Sequence, residues 1–501
     1  MRLKYISFLM SVLLLVSCAS KRTLPVAVEM YPKREFRGAW IQAVNGQFTG
    51  KSEREMKEYL TTMLNNLQKV NVNAVIFQVR VEGDALYESR YEPWSRFLTG
   101  VQGKSPGWDP LAFMVDECHK RNMELHAWIN PYRARTKGTT KVAANHYSAK
   151  KPKDFIAYEG QLYFNPSLQS NRDHICGIVR DILNRYDVDG LHIDDYFYPY
   201  PTAGKEFADE AWFKKSGAGD KGAWRRENVN RLIYQLHRTV RETKPWVKFG
   251  VSPFGIYRNE GSWEHGSKTK GLQCYDDLYA DVLHWIEQGW VDYCIPQVYW
   301  EIGHKAADYD ELVQWWAKYA SGRPLYIGQD VQRTVKAKDA GSPTGNQQAD
   351  KYRMQRAQAN VQGCCFWDAA SAANNVGGYR DILADNYHSY PALMPSAPFI
   401  DGKAPNKVKG VELITADNGD KVLVWLTDSC DDVMDKPAKF VVYRFEKGEK
   451  VNINSMKNVV AMTANTYYKI PSSHTGKATY VVTVLDRLQN ESKGVKCKVN
   501  L

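Results

Sequence analysis

The sequence predicts a TIM-type (β/α)8 barrel over residues 34–390, followed by an all-β sandwich over residues 405–501. Three observations lead there. Eight short apolar segments alternate with segments of helical apolar spacing, and regular βα alternation implies a parallel sheet that closes at eight units. No glycine-rich phosphate loop follows the first strand, which counts against an open doubly wound sheet. Beyond Pro391, Pro395, Pro398 and Pro405 the pattern changes to strands with no helices between them.

Residues 36–41 form the first strand. Residues 53–70 form the first helix, with Met56, Leu60, Met63, Leu64 and Leu67 on one face. Strand two is 74–80; a long loop and a helix at 110–122 lead to strand three, 125–130. A second long loop and a helix at 171–186 precede strand four, which begins at Val188. An insertion at 201–222 and a helix through Arg241 then lead to strand five, 248–252. Helix 278–288, strand six at 291–299, helix 309–319, strand seven at 325–328, helix 349–360 and strand eight at 363–367 complete the series. Residues 391–404 read as a linker, and 421–425, 440–444 and 479–484 as strands of the second domain. Trp425, Tyr443-Arg444, Asp486-Arg487 and Asn490-Glu491-Ser492 make that domain similar to fibronectin type III modules, which implies a spacer or accessory role.

With 44% hydrophobic and 25% charged residues, the 501-residue chain has the composition of a soluble globular protein. Its 15 Trp and 30 Tyr suit the stacking of flat sugar rings, although large cores use the same residues. The formal charge of +11 is scattered and no nucleic-acid motif is present, so an anionic envelope polymer is the expected partner rather than nucleic acid. Protein partners are not readable. Residues 1–18 read as a signal peptide: a basic start, an apolar run, then Leu15-Val16-Ser17-Cys18, similar to a bacterial lipobox. Cys18 is then the lipidated first residue, 19–33 a tether, and the membrane is contacted through the anchor alone, placing the protein in the cell envelope at the outer membrane or facing the periplasm. The other eight cysteines lack Cys-x-x-Cys spacing, so neither a metal nor a cofactor is expected and buried free thiols are the default.

The chemistry concentrates at Val188-Asp189-Gly190-Leu191-His192-Ile193-Asp194-Asp195-Tyr196. Strand alternation puts Gly190, His192 and Asp194 on one face and Leu191 and Ile193 on the other, so the barrel delivers Asp194 to the mouth formed by its strand C-termini. The competing reading is a helix-capping or arginine-paired Asp, and it stands longer for Asp195, a helper anchoring the loop with Tyr196. Other strand ends carry Gln78 and Arg80; Trp128 and Asn130, followed by Tyr132 and Arg133; and Gln297, Tyr299, Trp300 and Glu301, with Pro296 able to shift that register. Strand five offers no acid, and Glu82, Asp330 and Asp368 are weaker candidates. Two opposed carboxylates suffice for glycoside hydrolysis. An arginine such as Arg80 or Arg133 is expected to keep Asp194 ionised as nucleophile or base, while Tyr299 and Trp300 make an apolar setting for Glu301 as the acid. Trp40, Trp128, Trp300 and Trp367 are either sugar platforms or core, and His192 is more an orienting partner than a base.

These motifs resemble the bacterial glycosyl-hydrolase-like family 10 lipoproteins. The matching runs are residues 37–40, 77–80, 126–133, 188–199, 249–255 and 292–301, and the likeness covers about residues 34–386. It implies a glycosidase-related barrel. At least one member, the divisome-localised glycosyl hydrolase, looks like a cutter of peptidoglycan strands stripped of stem peptides. The central run is also similar to the fourth-strand motif of α-amylase-like barrels, which puts Asp194 in the nucleophile's place; here His192 stands where that family has arginine. The function expected is therefore envelope glycoside hydrolysis of peptidoglycan or a related amino-sugar polymer, with Arg80, Asn130, Tyr132, Arg133, His192, Tyr196 and Gln297 as the positioning shell. A non-catalytic glycan-binding barrel and a hydrolase of a non-envelope polysaccharide are the alternatives.

Overall fold

The computed structural model describes residues 31–501 apart from 140 and 341–344; the signal peptide, Cys18 and most of the tether fall outside the described residues. Eight parallel strands close into a barrel: Phe36–Ile41, Ala74–Arg80, Glu124–Ile129, Gly190–Ile193, Lys248–Val251, Tyr293–Cys294, Leu325–Asp330 and Val361–Trp367. Each pairs in parallel with its neighbour in sequence, and the eighth returns to the first through Phe36↔Gly363 to Ala39↔Phe366.

The first helix, Glu53–Gln68, shows why these segments fold as they do. Ser52 and Glu55 form a reciprocal capping box, and Met56, Leu60, Met63, Leu64 and Leu67 are the residues it buries. The helices Pro110–Lys120, Gln169–Arg185, Lys221–Thr243, Tyr309–Tyr319 and Gln348–Arg356 likewise follow their strands. The helix expected at 278–288 is shorter, Val282–Glu287, with a separate turn at Cys274–Asp277 before it. Strand six is cut to Tyr293–Cys294. Pro296 has no N–H to continue the ladder, and pairing resumes as single bridges from Gln297 to Phe254 and Gly328.

The long segment after strand three is more ordered than expected. Arg133–Arg135, Phe155–Tyr158 and Gln161–Phe164 make a small antiparallel sheet, whose hairpin turns at Glu159-Gly160, both at positive φ.

Seven strands between Lys409 and Asn500 form two sheets around one apolar core that includes Leu423, Trp425, Phe440, Val442, Tyr480 and Val482. This sandwich caps the N-terminal ends of the barrel strands, opposite the mouth. Lys439 Nζ donates to Asn122 O (3.1 Å), Asn122 Nδ2 to Met462 O (2.8 Å), and Arg487 makes a bidentate pair with Asp187 (2.8 and 2.9 Å). Residues 391–404 are a packed joint rather than a loose linker: Leu393 exchanges backbone hydrogen bonds with Lys33 and Glu35, and Met394 plugs the barrel interior beside Phe36 and Tyr326. Ala392, Leu393, Met394 and Ala397 are buried, which fixes the first half of the segment despite its prolines, while Pro398 and Phe399 are exposed.

The barrel interior leaves no spare room at strand five. A Cβ built on Gly250 lies 2.0 Å from the Tyr293 ring. Gly250→Ala is therefore expected to cost at least about 1–3 kcal/mol by overpacking, read as a lowered urea midpoint; an unchanged midpoint would contradict this packing.

Candidate active site

At the mouth of the barrel, strand four ends at Ile193 and is followed directly by Asp194 and Asp195, buried to 3% and 2% exposure. Asp194 Oδ2 accepts hydrogen bonds from the Trp128 indole N–H (3.1 Å) and from the Asn130 amide. Its Oδ1 is equally buried and has no hydrogen-bond partner among the described residues. Asp195 is fully engaged: Oδ1 accepts from Gln297 Nε2 (3.0 Å) and Oδ2 from the Tyr200 hydroxyl.

The Asn130 donor at Asp194 is oriented from the loop that follows strand one. Backbone N–H groups of Ala43 and Val44 donate to Gln78 Oε1 (2.8 and 3.1 Å), so the Gln78 amide nitrogen faces Asn130 Oδ1 (2.7 Å), and the Asn130 nitrogen faces Asp194. Backbone amides can only donate, so each amide in this chain has one consistent orientation. Arg133 adds a donor to the same Asn130 Oδ1 (2.7 Å) and another to Val81 O (3.0 Å), while its guanidinium lies 4.8 Å over the Tyr196 ring. The small antiparallel sheet holds Arg133 there by pairing it with Tyr163.

These surroundings decide the protonation of Asp194. Burial first, and the neighbouring Asp195 charge second, push its carboxyl up to about 7, against the pull of Arg133 and the two donors. Burial likewise raises Asp195, opposed chiefly by its hydrogen bonds from Tyr200 and Gln297. The expectation that an arginine keeps Asp194 ionised is thus reversed: desolvation outweighs Arg133. Arg80 plays no part in it, because its guanidinium is bound to the Glu92 carboxylate (2.7 Å twice) and to the carbonyls of Asn130 and Pro131, with no exposure.

The remaining candidates separate into interior and rim. Tyr132 is fully buried in the shell between barrel and helices, and His192 and Gln78 are fully buried inside the barrel. Trp40 and Trp128 are buried at the floor, their rings edge-on to Trp367 at 6.3 and 6.2 Å. Tyr299, half-buried, stacks on Trp367 at 6.1 Å. The rim is a run of rings, Tyr196 on Tyr200 (5.5 Å), Tyr200 against Phe254 (6.1 Å), Phe254 against Trp300 (5.5 Å). Tyr200 and Phe254 were absent from the sequence expectations; the aromatic run that continues past Asp195 to Tyr200 was the signal for the first. Glu301 is buried, and so is Lys351, whose Nζ donates to Trp300 O (2.8 Å) and Thr334 Oγ1 (3.1 Å) and is pushed down to about 7 by burial. Among the described residues no hydrogen bond joins Glu301 to either aspartate. Glu82 is held by Arg96, Thr136 and Thr139, and Asp330 and Asp368 cap short helices. Among the described residues no group of three or more His, Cys, Asp or Glu is arranged to hold a metal ion.

Residues 35–343 match the family model described as glycosyl hydrolase-like 10. The chain is 39% identical to the glycosyl hydrolase YngK of Bacillus subtilis over 486 residues, 95% of each chain. It is 38% identical to the glycosyl hydrolase DigH of Escherichia coli K12 over 328 residues, 61% of this chain and 75% of that one. Among solved structures, an α-L-fucosidase from Paenibacillus thiaminolyticus superposes with a TM-score of 0.46 at 12% identity, covering 71% of this chain and 49% of that one.

The raised Asp194 carboxyl has a consequence for stability. Below its ordinary value of 3.8 the group is protonated whether folded or unfolded, and burial carries no charge penalty. Between there and about 7 the unfolded chain ionises first, so stability falls as pH rises, and above about 7 the penalty is complete. Asp194→Asn removes that titration. Its urea midpoint relative to wild type is expected to improve from pH 4 to about pH 7 and then level off; a pH-independent difference would contradict the assignment.

Proposed function

The chain belongs to the glycosyl hydrolase-like 10 family, and from that premise we propose that it is a lipid-anchored envelope glycoside hydrolase that cleaves peptidoglycan glycan strands or a related amino-sugar polymer. One observation carries the catalytic reading: a buried carboxyl at the mouth of a barrel, pushed up to about 7 by burial, with one oxygen, Asp194 Oδ1, that has no partner among the described residues. Near neutrality two such adjacent acids share a proton, and the apparent values belong to the pair. Asp194 has the free oxygen and presents the proton to the glycosidic oxygen. Asp195, whose two oxygens already accept from Gln297 and Tyr200, keeps the negative charge and faces the positive charge that develops on the sugar ring.

This assignment moves the acid from Glu301, expected across the cleft, to Asp194. The reason is Asp194 Oδ1, which has no hydrogen-bond partner among the described residues. The rings of Tyr196, Tyr200, Phe254, Tyr299, Trp300 and Trp367 supply faces for sugar stacking. The formal charge of +11 favours an anionic glycan, and Leu15-Val16-Ser17-Cys18 supports the anchor.

Purified protein is expected to release reducing ends from peptide-free peptidoglycan, and Asp194→Asn to lower that rate by at least about 100-fold. Mass spectrometry of the products identifies the bond cut. Equal release by the two proteins would favour a glycan-binding barrel without turnover, and release only from other glycans in a panel would move the substrate outside the envelope. Because the acid form is required, kcat/KM is expected to fall as pH rises through about 7; a flat profile to pH 9 would contradict Asp194 as the acid. For the anchor, Cys18→Ser is expected to shift the protein from the membrane to the soluble fraction; retention in the membrane would overturn that part of the proposal.

A further inference from the structure

We infer that Glu124, at the capped end of the barrel, is a positioning residue that fixes the tautomer of His192, acting through His126 and Tyr293, and thereby holds Trp40 and Ser252 at the open end. The groups form one unbroken line. Glu124 accepts from Lys248 Nζ at 2.7 Å on each oxygen, and Oε1 also accepts from Gln489 Nε2 of the sandwich (3.0 Å). Glu124 Oε2 lies 3.0 Å from His126 Nε2, and His126 Nδ1 lies 2.7 Å from the Tyr293 hydroxyl. That hydroxyl is 3.1 Å from His192 Nδ1, and His192 Nε2 is 2.8 Å from Ser252 Oγ and 3.4 Å from Trp40 Nε1. Glu124, His126, His192 and Tyr293 are each at most 2% exposed, so water does not substitute for any link.

The direction of donation follows from either end. An indole N–H only donates, so the His192 Nε2 it faces is bare, and the neutral ring carries its proton on Nδ1. The Tyr293 oxygen accepts that proton's hydrogen bond and gives its own hydrogen to His126 Nδ1. His126 is then protonated at Nε2, facing Glu124. From the other end, Lys248 and Gln489 donate to Glu124 and hold it as a carboxylate, which requires a donor at His126 Nε2. Both ends impose the same order. A doubly protonated His126 would turn the Tyr293 hydrogen toward His192 and set two hydrogens against each other between His192 and Trp40.

The sequence makes room for this line. A Cβ on Gly190 would lie 2.5 Å from the His126 ring, and one on Gly250 2.0 Å from the Tyr293 ring. The line ends at groups that build the site: Trp40 is edge-on to Tyr299 and Trp367, and the Ser252 carbonyl accepts from Gln297, which holds Asp195.

The test is long-range 1H–15N correlation NMR of the full chain labelled at its 11 histidines, with His192 assigned by the signals lost in His192→Gln. His192 is expected to show a protonated Nδ1 and a bare Nε2. In Tyr293→Phe and in Glu124→Gln that pattern is expected to change to the opposite tautomer or a mixture, with near-UV circular dichroism checking that the fold persists. A wild-type His192 protonated at Nε2 would overturn the inference, as would an unchanged pattern in both folded variants. If neither variant folds, the wild-type spectrum alone decides. No substrate is involved, so this result stands apart from the assignment of Asp194.

Discussion

The cost of enclosing charge in a closed barrel organises this structure. Three carboxylates inside the barrel or at its mouth have hydrogen-bond donors on both oxygens or a bidentate cation. Glu92 is matched by both arms of Arg80, Glu124 by Lys248, His126 and Gln489, and Asp195 by Gln297 and Tyr200. Asp194 is the exception. It has donors on one oxygen only, and it meets the desolvation penalty by holding its proton up to about 7. A buried carboxylate left with one unpaired oxygen at the end of a barrel strand points to where a ligand belongs.

The two hydrogen-bond lines that reach the mouth share a logic. Each begins at groups that can only donate, backbone amides of Ala43 and Val44 in one and the Trp40 indole in the other, and passes an orientation along neutral side chains. The first sets the Asn130 amide at Asp194; the second sets His192 beneath Trp40 and Ser252. Arg80, which ties strand two to Asn130 and Pro131, supports the first line from below without touching the acids. The sandwich contributes through Gln489 at the far end of the barrel, so the second domain is part of the interior's hydrogen bonding as well as its cap.

The eight barrel strands were legible because each is an apolar run between helices of clear spacing, as in Ala74–Arg80 before Pro110–Lys120. Asp194 was legible from strand alternation across Gly190–Ile193. The small sheet around Arg133 was not, because strands of three or four residues with mixed polarity carry no period, and it is this sheet that aims Arg133. Sequence spacing also cannot show that Arg80 already has Glu92, twelve residues away along a loop, or that Lys351 from a distant helix stands beside Glu301. Register told which side chains point inward; it could not tell which of them were already taken.

The central claim is that Asp194 holds a proton near neutrality in the folded protein. It is tested most directly by following the 13Cγ resonance of Asp194 in aspartate-labelled protein across pH 4–9, assigned by its loss in Asp194→Asn. The account predicts a titration midpoint pushed up to about 7, with a smaller response at Asp195 as its neighbour ionises. A midpoint near the ordinary carboxyl value of 3.8 would contradict it.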